Sequence, residues 1–126
     1  MKLNHDCVRS ILLELEEKLT LGQHIHLYQL KEFNTFNKYG ENESIYAILK
    51  LIKAGYIDGS HQLDGDEIYA LGIGSITFSG HEFLDTIRDS KVWAKTKELT
   101  KKLSSVPLNV LSATAVKVTT SFIGLP

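Results

Sequence analysis

Three features of the 126-residue chain predict a mainly helical α+β fold: a winged helix-turn-helix carrying a C-terminal helical extension. Residues 42–59 read as an amphipathic helix stopped by Gly55 and followed at once by a strand. Asp64-Gly65 lies between two strand-like runs and marks a hairpin turn. Ile76-Thr77-Phe78-Ser79-Gly80-His81 then converts a strand into a returning helix. Helix, hairpin and return helix in that order is the winged-helix pattern.

The elements follow from local chemistry. Asn4 is a good N-cap, Asp6 sits at the positive end of the first helix dipole, and Val8, Ile11, Leu12, Leu15 and Leu19 recur at helical spacing. Leu21-Gly22 ends that helix. His24-Ile25-His26-Leu27 reads as a short strand, and residues 28–36 as a short helix with Phe33 and Phe36 turned inward. A helix over 42–54 buries Ile45, Ile48, Leu49 and Ile52 and exposes Glu43, Tyr46, Ala47, Lys50 and Lys53, with Gly55 as its left-handed stop. Tyr56-Ile57 and Ile68-Tyr69-Ala70-Leu71 are the hairpin strands, and Gly72 and Gly74 imply a bulge or bend in the second. Thr77 or Ser79 caps the next helix, which directs Phe83, Leu84 and Ile87 inward. The expected core over residues 3–87 gathers Ile11, Leu15, Ile45, Ile48, Leu49, Ile52, Phe83 and Leu84.

Residues 91–103 form a separate helix with Val92, Leu99 and Leu103 on one side, Trp93 beside them and five lysines around the rest. Pro107 suits the first turn of a new helix. Over 108–123 two signals compete. Leu108, Leu111, Ala115, Val118 and Phe122 keep helical spacing, whereas Val116-Lys117-Val118-Thr119-Thr120 is β-branched. The length of the segment favours helix.

Charge divides the chain at residue 89. Residues 1–89 carry eight Lys/Arg against fourteen Asp/Glu, and residues 90–126 carry six lysines against Glu98 alone. We therefore read a winged-helix domain over 1–89 and, over 90–126, a basic helix with an apolar tail. A content of 43% apolar and 23% charged residues is ordinary for a globular protein. No basic-then-apolar leader opens the sequence, and Cys7 is the single cysteine, so a reducing cytoplasm is the expected location.

Candidate chemistry is sparse. His24 and His26 alternate on one strand face, but two ligands fall short of a zinc set. Asp64-Gly65-Asp66-Glu67 lacks the alternating ligands of a calcium loop and reads as a solvated hairpin tip. Gly72-Ile73-Gly74-Ser75 follows no nucleotide-binding unit, and His81-Glu82 has no positioned second group for acid–base work. Cys7 reads as a small helix residue rather than a nucleophile. The sequence points to no enzyme, no metal and no cofactor.

Met1-Lys2-Leu3-Asn4 with Asp6-Cys7-Val8-Arg9, Leu49-Lys50-Leu51-Ile52-Lys53-Ala54-Gly55-Tyr56-Ile57, the block from Thr77-Phe78-Ser79-Gly80-His81-Glu82-Phe83-Leu84-Asp85 to Arg88-Asp89, and Val92-Trp93-Ala94-Lys95-Thr96-Lys97 resemble the domain-of-unknown-function 2513 family. These motifs span most of the chain. The resemblance implies a small bacterial protein in a phage or prophage setting and brings no catalytic residues with it.

The remaining expectation is macromolecular binding, with a host or phage protein favoured over DNA. Phosphate contact needs Lys or Arg, yet no basic residue stands between Lys53 and Arg88, where Asp58, Asp64, Asp66, Glu67, Glu82 and Asp85 all lie. Tyr46, Lys50 and Lys53 would carry DNA contact if it occurs, which keeps a transcriptional regulator as the alternative. In the tail, Leu108, Leu111, Val118 and Phe122 are candidate contacts for homo-oligomerisation. Membrane-surface association is a further alternative, although the segment is too polar to span.

Overall fold

The structure, a computed structural model, describes residues 1–126 and has an α+β architecture of seven helices and one three-stranded antiparallel sheet. The elements are α1 (His5–Lys18), β1 (Ile25–His26), α2 (Leu27–Leu30), α3 (Asn34–Tyr39), α4 (Glu41–Lys53), β2 (Ile57–Asp64), β3 (Glu67–Ile76), α5 (Phe78–Ile87), α6 (Ser90–Thr100) and α7 (Leu108–Phe122). The sheet order is β1-β3-β2. The chain divides into two compact units, Met1–His81 and Glu82–Pro126. The division falls within α5.

In the first unit, α1 begins where expected: the Asn4 side chain accepts the Cys7 amide at 3.1 Å. Its buried side holds Cys7, Val8, Ile11, Leu12 and Leu15, together with one carboxylate, Glu14. Glu14 accepts the Thr35 amide at 2.6 Å and hydroxyl at 2.5 Å, the Asn34 amide at 3.1 Å and the Lys18 ammonium at 3.2 Å. Asn34 and Thr35 open α3, so a side chain of α1 supplies the acceptor that this helix start lacks. Thr35 also meets the Ser10 hydroxyl at 2.6 Å, and its carbonyl accepts Ser44 of α4 at 3.4 Å. The single helix expected over 28–36 is instead two short ones, α2 and α3, with Phe33 between them and both Phe33 and Phe36 buried.

The end of α4 was legible residue by residue. Gly55 lies at φ 81°, its amide reaches the Ile52 carbonyl, and the Tyr56 amide reaches the Leu51 carbonyl, the paired bonds of a Schellman motif. The buried side of α4 is rotated from the expected stripe. Ser44, Ile45, Ala47, Ile48 and Leu51 are buried, whereas Leu49 and Ile52 are only half covered. Small residues face α1 because they let the two helices approach, and Ser44 offsets its polarity through Thr35. Ile52 instead reaches over the hairpin, where a Cβ on Gly59 would meet its Cδ1 at 3.0 Å.

The hairpin turns at Gly65-Asp66, with Asp64 paired to Glu67 and Gly65 at φ 64°. Two register shifts leave Gly74 and Tyr69 as the unmatched residues of β3, so the expected irregularity at the glycines is present. Thr77 then joins three segments: its hydroxyl accepts the Gly80 amide at 3.0 Å and donates to the Gly55 carbonyl at 2.6 Å, while its amide donates to Tyr56. Gly80 fits because a Cβ there would stand 2.0 Å from the Tyr56 carbonyl oxygen.

In the second unit, Phe83, Leu84, Ile87, Val92, Trp93, Leu111, Ala115 and Val118 are buried. Asp89 caps α6 through the Lys91 and Val92 amides. The buried side of α6 is Val92, Trp93, Thr96 and Thr100, not the expected Val92, Leu99 and Leu103. Leu99 lies at the rim of that sector, and Leu103 lies beyond the last helical turn, so both are more than half exposed. The two threonines tolerate burial because each hydroxyl donates to the carbonyl four residues back. Residues 108–122 are helical, as their length favoured, and α7 packs on α6. A Thr86–Ser112 hydroxyl contact at 3.1 Å ties α5 to α7.

Two outcomes are expected. Burial raises the Glu14 pKa, but the bonds from Thr35, Lys18 and Asn34 outweigh it and hold the carboxyl below its ordinary value. Its stabilisation is therefore present above the unfolded carboxyl value, near 4.3, and is lost as pH falls through the folded one. Glu14→Gln should cost about 1.5–3 kcal/mol at neutral pH. The gap from wild type in urea unfolding should close in acid, and a gap independent of pH would refute this account. Second, truncation after Leu103 should uncover α6 and shift emission from the single tryptophan, Trp93, to the red. Unchanged emission would mean that α7 contributes no cover there.

Candidate functional site

The exposed side of α4 and the neighbouring hairpin form the site with the most defined chemistry. Helical spacing places Tyr46 and Lys50 one turn apart, and the Lys50 ammonium lies 5.1 Å from the centroid of the Tyr46 ring. Tyr46 is half-buried, while Lys50 and Lys53 are exposed. Ala47, expected on this side, is fully buried, because the rotation of α4 turns it toward the core.

Between α4 and the hairpin runs a cleft of about 830 Å³. Its apolar floor comes from Ile45 and Leu49 of α4 and from Leu63 and Ile68, which pair across β2 and β3. Glu41, Asp66 and Glu67 supply carboxylates at its rim, and Tyr46 lines it as well. Lys31, the basic residue of the lining, is held 3.4 Å from Glu41. Of the three α4 residues singled out from the sequence, Tyr46 alone belongs to this cleft. Lys50 and Lys53 stand outside its lining.

Sequence reasoning missed Leu63, Ile68 and Glu67 as site residues. The turn at Gly65-Asp66 was the available signal, since it brings residues 63 and 68 opposite each other. Leu63 is 55% exposed, an uncovered leucine at the foot of an otherwise acidic hairpin tip. The half-covered Leu49 of α4 lines the same cleft.

The tail residues fare differently. Leu111 and Val118 are buried at 2% and 6% exposure, Leu108 is half-buried and Phe122 is exposed. Within the second unit α7 packs on α6, and this buries Leu111 and Val118 of the stripe without a second copy. Leu111 and Val118 are thus unavailable as surface contacts in this fold. No helix is long and apolar enough to cross a membrane.

Other groups show no assembled chemistry. Cys7 is fully buried, and burial pushes its thiol up from the ordinary value, so the reactive thiolate is disfavoured. No group of three or more His, Cys, Asp or Glu is gathered in a way that could hold a metal. His81 lies 3.8 Å from Glu16, a contact at the surface of the first unit.

Comparison with known proteins adds the family. No curated protein and no solved structure matches the chain. A family model does match, over residues 2–107, a stretch that contains α1 through α6 and stops just before α7. The chain belongs to that family, described as hypothetical protein (DUF2513).

Proposed function

We propose that the first unit is a winged helix-turn-helix that acts by binding a protein, through the cleft between α4 and the β2–β3 hairpin, without catalysing a reaction. The winged-helix reading is supported by the element order, one helix, a short strand, two helical segments, α4 and then the hairpin, and by the sheet order β1-β3-β2. In that reading α4 is the recognition helix and the hairpin is the wing.

The observation that carries the choice of partner is the charge of the wing. Asp66 and Glu67 face the cleft, Asp58 and Asp64 stand along the same hairpin, and no Lys or Arg occurs between Lys53 and Arg88. Duplex DNA would bring its phosphates against those carboxylates. A protein segment with apolar side chains for Leu49, Leu63 and Ile68, and basic ones for the rim, matches both parts of the site. The phage or prophage setting suggested by the sequence resemblance makes a cytoplasmic host protein the natural target. DNA regulation stays as the second reading because Tyr46, Lys50 and Lys53 present a small basic surface on α4.

The expected outcome is reproducible capture of one host protein by the full chain in native lysate, with and without phage infection, and its loss with the pair Asp66→Lys and Glu67→Lys. Duplex DNA should bind weakly at near-physiological salt in a fluorescence titration. Nanomolar, sequence-dependent DNA affinity that depends on Lys50 and Lys53 would replace this reading with the regulator.

A further inference from the structure

Two sequence features find no use in the α4 cleft: the alternating His24 and His26, and the glycines inside β3. The sheet brings them together. Ile25 pairs with Ile73 and His26 with Gly72. Both isoleucines are buried, so the imidazoles and the glycines share the opposite, outer face. A Cβ on Gly72 would lie 3.6 Å from His26 Nδ1, and one on Gly74 only 3.2 Å from His24 Nε2. Each ring therefore leans over the central strand where that strand has no side chain. Neither glycine has a positive φ. Space, not backbone conformation, is what glycine supplies at these positions.

The result is a shallow cleft of about 610 Å³ with a floor of bare backbone at Gly72 and a methyl group at Ala70. One wall is a row of near-parallel rings. His24 and His26 have centroids 6.4 Å apart with planes at 23°, and His26 and Tyr28 are 6.2 Å apart at 7°. Tyr28 is 71% exposed, so this row is open to solvent and not packed into a core. The other wall is Ser60 and Gln62 of β2 with Tyr69, whose hydroxyl donates to Gln62 Oε1 and leaves the amide nitrogen to donate elsewhere. Lys31 stands at one end, shared with the α4 cleft. No carboxylate lines this second cleft, in contrast to the acidic rim of the first.

We propose that this cleft binds a nucleotide, with the base stacked on the His26–Tyr28 row and its edge toward Ser60 and Gln62. Flat, exposed rings are the recurrent platform for nucleobases, because every base offers a π-face. The volume falls within the range of small-molecule sites. The hydroxyl and amide of the far wall supply donor and acceptor groups that an aliphatic ligand would leave unmatched. The phosphate is directed to Lys31, where it competes with the exposed pairing to Glu41. The lining itself holds no carboxylate, so Glu41, which pairs with Lys31 from the neighbouring cleft, is the one the phosphate has to displace. A free nucleotide and an unpaired base of a single strand share this chemistry, so the source is a matter for the test.

The full chain, labelled with ¹⁵N, would be titrated with AMP, GMP, CMP and UMP, and separately with a thymidylate strand of about eight bases, a length such surfaces cover. Amide shifts are expected at Tyr28, Gln62, Ala70 and Gly72. Tyr28→Ala, which removes an exposed ring, should weaken binding by roughly tenfold or more, the loss of one base–ring stack. Gly72→Thr should abolish binding, since it fills the floor with a side chain that strands accept. Response to the mononucleotides identifies a free nucleotide as the source, and response to the strand alone identifies single-stranded nucleic acid. No shift with any probe at millimolar concentration would overturn the proposal, as would an affinity that both variants leave unchanged.

Discussion

The Glu14–Thr35 contact is the constraint on which the first unit depends. A carboxylate is buried beside the apolar face of α1, and that is tolerable only because four donors converge on it: the Asn34 and Thr35 amides, the Thr35 hydroxyl and the Lys18 ammonium. The same threonine reaches Ser10 of α1 and Ser44 of α4. One polar cluster thereby sets how α1, α3 and α4 meet. An apolar contact among three helices permits some rotation about each axis. This cluster does not, because each hydrogen bond has a direction.

That directionality has consequences at the surface. With Ser44 drawn toward Thr35, α4 turns Ala47 and Leu51 inward and leaves Leu49 half covered beside the hairpin. Leu49 then joins Leu63 and Ile68 as the floor of the α4 cleft, with Tyr46 at its side. The Schellman end of α4 and the hydrogen bonds of Thr77 hold the other border, since they fix where the hairpin leaves α4 and where β3 ends. The cleft is therefore a product of the interior polar cluster and the two caps, not of the hairpin alone.

The two faces of the hairpin region differ in chemistry. Asp66, Glu67 and Glu41 surround the cleft beside α4, while the cleft on the outer face of the sheet is lined by rings, a hydroxyl and an amide without a carboxylate. Strand alternation separates them by only a few residues. The bulges at Tyr69 and Gly74 sharpen the contrast, because each unmatched residue interrupts the alternation and re-aims its neighbours. The two clefts meet at Lys31, which lines both and pairs with Glu41 at the rim of the first, so an anion held in the second cleft would draw on a charge that the first one uses.

Elements governed by neighbouring residues were readable from the chain alone. Asn4 starts α1, Gly55 stops α4, the residues around Gly65 turn the hairpin, and Thr77 caps α5, each through a bond or a φ angle set within a few positions. The helical nature of residues 108–122 also followed from spacing and length. What only the tertiary structure decided was which side of each helix faces inward, and what a polar residue does once buried. Glu14 and Thr35 look like surface residues until two helices are brought together, and Thr96 and Thr100 pass for exposed polar positions although both are buried in the folded second unit. Leu99 and Leu103 gave the opposite impression: Leu99 stands at the rim of the buried sector of α6, and Leu103 continues the apolar spacing past the point where the helix ends. Periodicity reports the existence of a face. Its orientation depends on hydrogen bonds between residues far apart in the chain, and no local pattern encodes them.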